Sequence, residues 1–356
     1  MDTVSQAALG VFTTDTLCRR ALGPKNIAIG LAAGVLPDLD VMLPLLVELS
    51  GGNFYLTYLA THRTWSHSLV VAPILALLLG SLVHRLPALH RRKVSSIVLA
   101  AWLAMVTHIL LDLCTSYGIE LFWPISRSRF ALYWIPEVDL FLLPLLVILL
   151  AFIVLRNLRR RESGGLSRMG LAIFVVYCLA GGVLHQVMYH RATLLQARMT
   201  GANDGKLDYR FGVFPQLGSL LVWRAVCISD EKIAVARYDL GRAEPTQLMQ
   251  AANAERALPE WLGRGPELAT VRHATSSFVG VRQDSACGSG SRFLLQDLRF
   301  ALSPADSNGL IVISAWKDSV GLVHCDAVSW FLGKTFLRGQ SYAHATAELW
   351  HHIFTP

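Results

Sequence analysis

The stretch VSSIVLAAWLAMVTHILLDLC, residues 94–114, is membrane-grade apolar sequence with a histidine and an aspartate near its end. Twenty-one residues with so few polar groups are enough to cross ~30 Å of hydrocarbon as a helix. His108 and Asp112 stand four apart, so on that helix their side chains share one face about a turn apart. An ionisable group at bilayer depth costs roughly 2.5–3.5 kcal/mol on insertion scales, so both residues mark a site.

Two further polar clusters interrupt apolar sequence in the same way: Pro37-Asp38-Leu39-Asp40, and His62-Arg63-Thr64-Trp65-Ser66-His67-Ser68. Asp38 and Asp40 would diverge on a regular helix, but Pro37 breaks the regularity and lets both carboxylates turn to a common point. His62 and His67 converge if His62 is in a loop and Thr64 or Ser66 caps the span that contains His67. Carboxylates and imidazoles together suit zinc, with manganese or iron as alternatives and magnesium less suited. The expected ligands are Asp38, Asp40, His62, His67, His108 and Asp112; Asp38, Asp40 and His67 are the catalytic candidates, one of the carboxylates serving as general base. Arg63, Arg127 and Arg129 are the candidates to clamp an anionic substrate group, with pairing to Glu120 or Glu137 as the bland alternative for the last two.

The whole chain agrees with a membrane protein. Of 356 residues, 53% are hydrophobic and 16% charged, and the mean hydropathy is +0.44, far from an average soluble domain. Apolar runs at about 27–47, 68–84, 94–114, 139–155 and 169–189 predict about five spans, the first broken by Pro37. Residues 1–26 lack a secretory signal pattern and read as a short amphipathic helix, near the membrane or packed on the bundle. The net charge of +7 does not point to nucleic acid, because the excess sits in loops. Arg85, Arg91, Arg92 and Lys93 lie in one, and Arg156, Arg159, Arg160, Arg161 and Arg168 in another. The positive-inside rule places both loops, and the N-terminus, in the cytoplasm, and five spans then put the C-terminal region outside. On that topology the three clusters meet near the outer surface.

Beyond residue 190 the sequence turns mixed. Strand-like stretches at 220–227, 232–238, 293–300 and 310–316 alternate with helical patterns at 246–257 and 340–354, predicting a soluble α+β domain over 191–356 after a membrane all-α bundle over 1–190. One disulfide among Cys227, Cys287 and Cys325 is compatible with an oxidising outer compartment, as are isolated buried thiols. Asp139 reads as a helix cap or as a partner behind a ligating histidine. His185 and His190 read as structural, and His344, His351 and His352 as a solvated face. Trp123, Trp134, Tyr117 and Tyr133 read as an interfacial belt. Ser66 and Ser68 lack the glycine elbow of a serine nucleophile.

The ordered motifs MDTVSQAALG, LPDLDV, HRTWSHSL, HILLDLCTSYG, LFWP and SRSRF resemble the YdjM-like bacterial inner-membrane proteins, described as membrane-bound metal-dependent hydrolases. The resemblance covers about residues 1–155. It implies a His and Asp metal site distantly similar to that of zinc-dependent phospholipase C, hence phosphoester hydrolysis. It favours the same six ligands and adds Asp2, Gln6 and Asp15 as outer candidates. Thr64 departs from the glycine usual after His-Arg, and Thr14-Asp15 from a Gly-Glu pair, which weakens Asp15 as a ligand. The expected protein is an inner-membrane hydrolase of a lipid or another phosphoester at the outer face, with a C-terminal domain in the periplasm. A metal-binding sensor or transporter is the competing class; a transporter calls for inverted repeats, which this sequence lacks.

Overall fold

The computed structural model describes residues 2–200, 209–229, 231–242, 244–284, 292–300, 311–317 and 323–330. The chain forms two compact units, one of Met1–Leu46 with Thr61–Val183, the other of Val47–Ala60 with Leu184–Pro356.

The first unit is built around α1 (Thr3–Leu17), whose residues Ser5 to Asp15 are buried on every side. The expected amphipathic character is therefore absent, and of the two placements foreseen for this segment it takes the one inside the bundle. Neighbours pack on it because small residues let backbones approach. After α2 (Arg19–Leu22) comes α3 (Asn26–Val35), which crosses α1. A Cβ on Gly30 would lie 2.6 Å from the Gly10 carbonyl and 2.3 Å from Thr14 Oγ1, and one on Gly34 would lie 2.8 Å from the Gln6 carbonyl. Close approach through glycine is how helices associate where lipid offers no hydrophobic drive.

Pro37 has the expected effect. α3 tightens into a 3-10 turn, Leu36–Val41, and continues as α4 (Met42–Leu49). α5 (Phe54–Thr61) follows, then a second 3-10 turn, Trp65–His67, and α6 (Ala72–His84). The long apolar helix predicted at 94–114 is α7 (Val94–Leu113), and α8 (Leu142–Leu158) and α9 (Gly164–Thr200) complete the helical part. α7 packs against α1, α3 and α6, and α8 against α1. Among the described residues three helical stretches are long and apolar enough to cross a membrane: Arg19–Leu49, Val94–Leu113 and Gly164–Thr193. A fourth exists if the pair Phe54–His67 and Ala72–His84, bent by 77°, acts as one span.

Among the described residues the second unit holds two antiparallel four-stranded sheets. β1 (Arg210–Pro215), β2 (Val222–Ile228), β3 (Lys232–Asp239) and β4 (Gln247–Ala252) pair in that order. α10 (Glu260–Gly263) and α11 (Pro266–Ala274) precede β5 (Val279–Asp284), β6 (Arg292–Asp297), β7 (Ile311–Lys317) and β8 (Val323–Trp330), again paired in order. Leu59 of α5 belongs to this unit's core, with Leu262, Leu268, Val271, Phe293, Leu295 and Ile313.

The strands foreseen at 220–227, 232–238, 293–300 and 310–316 appear as β2, β3, β6 and β7. The helix foreseen at 246–257 does not form. Gln247–Ala252 instead pairs with Lys232–Arg237 as an edge strand, and a 3-10 turn covers Glu255–Ala257. A neighbouring ladder overrides a weak helical pattern at an exposed edge. The helix foreseen at 340–354 and the three histidines in it lie outside the described residues. Cys227 is a buried free thiol; Cys287 lies outside the described residues.

Candidate metal centre

α7 supplies two side chains on one face, as the four-residue spacing requires: His108 Nε2 lies 3.5 Å from Asp112 Oδ2. The 3-10 turn made by Pro37 brings Asp38 to the same place, its Oδ1 lying 3.6 Å from His108 Nε2. His67 closes the group, with Nε2 3.1 Å from Asp112 Oδ2 and 3.5 Å from Asp38 Oδ1. One ligand atom from each of these four residues lies within 4.8 Å of every other. His67, His108 and Asp112 are fully buried, and the Asp38 side chain is 15% exposed.

The atoms not facing the cluster are each held by an outer partner. His108 Nδ1 is 2.7 Å from the Gly34 carbonyl, an acceptor only, so Nδ1 carries the proton and Nε2 presents its lone pair. Ser66 Oγ donates to Asp40 Oδ2 at 2.6 Å and lies 2.9 Å from His67 Nδ1, which therefore donates to it. Gln6 Nε2 donates to Asp112 Oδ1 at 3.0 Å, and Thr3 Oγ1 donates to Asp38 Oδ2 at 3.1 Å.

This polarity tests the fit of a metal. The two Nε2 atoms stand 3.1 Å apart. With both Nδ1 protons committed outward, two lone pairs and two carboxylate oxygens converge on one point. A cation there turns four mutually repelling donors into ligands, and two nitrogens with two oxygens make a donor set that suits zinc. A buried group of aspartates and histidines able to bind a metal ion is thus present.

Asp40 and His62 form a separate pair beside it. Asp40 Oδ1 is 2.8 Å from His62 Nδ1, while Oδ2 accepts from the Ser66 hydroxyl and, at 3.0 Å, from the Arg63 amide. His67 also sits differently from the expectation. It belongs to a 3-10 turn ahead of α6, and neither Thr64 nor Ser66 caps that helix; the Ser68 hydroxyl accepts from the Val70 amide at 3.1 Å.

The arginines are largely engaged within the protein. Arg63, at φ 58°, turns a buried guanidinium inward. Its Nε is 3.2 Å from Asp112 Oδ2 and its Nη2 is 3.1 Å from Glu137 Oε2. Burial pushes the Glu137 carboxyl up, but Arg63, together with the Tyr117 amide and other charge nearby, holds it below its usual value. Arg127 pairs with Glu120 at 3.2 Å. Arg129 donates to the Gly118 carbonyl at 3.1 Å and to the His62 carbonyl at 3.3 Å.

The remaining candidates divide by position. Asp2 caps α1, accepting from the Ser5 amide at 2.8 Å. Asp15, nine residues beyond Gln6 on α1, accepts from Arg19, Asn26, Ser163 and Ser167 in a network of its own. Asp139 caps α8 through the Phe141 and Leu142 amides and accepts from the Tyr177 hydroxyl, so it holds a helix end. His185 lies in the second unit with its ring 6.0 Å from that of Trp223, and His190 is exposed on α9. Sequence reasoning missed Thr3 and the Gly34 carbonyl. The only signal for Thr3 was its three-residue spacing from Gln6, which places both on one face of α1.

No curated protein and no solved structure matches the chain. The model of the YdjM inner membrane protein family matches residues 1–188, which hold every residue of the cluster and its outer partners. The chain belongs to the YdjM inner membrane protein family.

Proposed function

We propose that this protein is a membrane-bound metal-dependent hydrolase whose metal, zinc by preference, is held by Asp38, His67, His108 and Asp112. The observation that carries the reading is the convergence of four donor atoms within 4.8 Å, each on a side chain whose other polar atom is tied outward. When bound, the metal would acidify a water and polarise a phosphoryl oxygen. Asp38 is the ligand at the open edge of the group, so substrate enters there.

Asp40 and His62 act as a proton-handling pair in this scheme, not as ligands. Asp40 accepts the Nδ1 proton of His62, which makes Nε2 the basic nitrogen and stabilises the imidazolium once it forms. A histidine so held beside the cluster would be suited to take up a proton and to return it to a leaving oxygen. Arg63 offsets the two carboxylates of the site through Asp112, and Arg129, which donates to the His62 carbonyl, adds positive charge on the substrate side.

The topology belongs to the same proposal. The bent pair Phe54–His67 with Ala72–His84 and the 17-residue α8 serve as two further spans beside the three long enough by themselves, the basic loops face the cytoplasm, and residues 191–356 lie in the periplasm.

The test is the metal content of the detergent-solubilised protein by mass spectrometry, with hydrolysis of a panel of phospholipids and soluble phosphoesters. About one metal per chain, lost in an Asp38→Ala, His67→Ala double variant, is the expected result. Metal content unchanged in that variant sinks the assignment; stoichiometric metal without turnover moves the protein to the sensor class.

A further inference from the structure

The segment between α7 and α8 carries a surface that catalysis at the cluster does not by itself explain. Ile119 and Phe130 pair across a short hairpin, with amide-to-carbonyl distances of 3.0 and 2.9 Å. Its base is fastened to the segment that bears His62 and His67. The Glu120 amide donates to the Arg63 carbonyl at 3.0 Å, the Leu69 amide to the Leu121 carbonyl at 3.0 Å, and the Ser68 hydroxyl to the Trp123 carbonyl at 2.6 Å.

The hairpin bares apolar side chains. Ile125 is 80% exposed, Phe122 41% and Phe130 37%, and the two phenylalanine rings meet edge-to-face at 5.5 Å. Arg127 flanks them, its side chain 64% exposed and paired with Glu120 at the base. Apolar side chains beside an exposed cation are the composition of a membrane–water interface.

The level of the hairpin follows from its neighbours. α7 is a 20-residue apolar helix that ends at Leu113, shortly before the hairpin. α6, also apolar, begins at Ala72, three residues after the Leu69 contact. Two helices of the bundle therefore end where the hairpin begins, and that end of a span is where hydrocarbon gives way to headgroups.

We propose that the hairpin from Ile119 to Phe130 dips into the bilayer interface and docks a membrane phospholipid, so that the cluster draws its substrate from the bilayer and not from water. This rests on the hydrolase reading for the second half of the claim alone. Ile125, Phe122 and Phe130 take the acyl region, Arg127 lies at phosphate depth, and the hydrogen bonds to Arg63, Ser68 and Leu69 hold that lipid next to the metal-bearing turn.

The full chain is reconstituted in nanodiscs of phosphatidylethanolamine and phosphatidylglycerol, with a photo-crosslinking benzoylphenylalanine at position 125. Lipid adducts at that position are expected on illumination; adducts to protein alone, or none, overturn the docking surface whatever the enzyme does. In parallel, Phe122→Ser with Ile125→Ser is assayed on vesicle phospholipid and on a soluble nitrophenyl phosphodiester. The ratio of vesicle to soluble rate is expected to fall at least tenfold, and an unchanged ratio overturns the substrate claim. Lipid adducts with neither substrate turned over leave the surface standing and defeat the hydrolase reading.

Discussion

Gln6 shows how a residue that need not touch a metal can set its affinity. Its amide donates to Asp112 Oδ1, which leaves Oδ2 to face the cluster. Such outer hydrogen bonds are worth about 10- to 100-fold in metal affinity. Gln6→Leu is expected to weaken zinc binding by that range in a competitive chelator titration, with the helical circular dichroism kept; unchanged affinity would deny Gln6 the role. Asp15 makes the opposite case on the same helix. Its two oxygens accept from Arg19 at 2.6 Å, Asn26 at 3.0 Å, Ser163 at 2.8 Å and Ser167 at 2.6 Å. Removing one partner of a buried ion pair costs about 3–5 kcal/mol because the other charge is left uncompensated. Arg19 keeps some solvent access, so Asp15→Ala is expected at the low end of that range in thermal unfolding, with metal affinity per folded protein unaltered. A parallel loss of metal affinity would place Asp15 in the site after all.

Among elements, the crossing of α1 and α3 positions the cluster. α1 carries Thr3 and Gln6, α3 runs into the turn bearing Asp38, and the Gly34 carbonyl orients His108. The crossing depends on Gly10, Gly30 and Gly34, where added carbons would meet backbone atoms of the facing helix. Overpacking of this kind costs about 1–3 kcal/mol. Gly30→Val is expected to lower the melting temperature and weaken metal binding together, since the helices that must separate are those that carry ligands and their supports. A melting temperature that falls with metal affinity intact would show that the cluster tolerates the shift.

For the whole molecule, the unit boundaries decide what the C-terminal part can fold with. Val47–Ala60 belongs to the second unit, and Leu59 sits in its core. The chain thus leaves the unit that holds the Asp and His cluster after the Asp38–Asp40 turn and returns to it at Thr61, directly before His62. The proposed topology is open to reporter fusions. Alkaline phosphatase is expected to be inactive when fused in the basic loops at residues 90 and 160 and active when fused at residue 243, and the reverse pattern would turn the protein over in the membrane.

By itself the sequence determined that the chain enters a membrane, that Pro37 breaks the first apolar stretch, and that His108 and Asp112 share a helix face. These follow from hydrocarbon thickness, a missing amide and a 3.6-residue period, all of which act locally. Only the tertiary structure decided which of the six candidates meet. Asp38 and His67 join α7 while Asp40 and His62 pair beside them, because helix crossings and two 3-10 turns set those distances across tens of residues. It also decided that Arg63 turns inward, that Gln247–Ala252 becomes an edge strand, and that α1 runs through the bundle's interior. Each of these is fixed by a partner far along the chain, and neither spacing nor composition encodes which partner that will be.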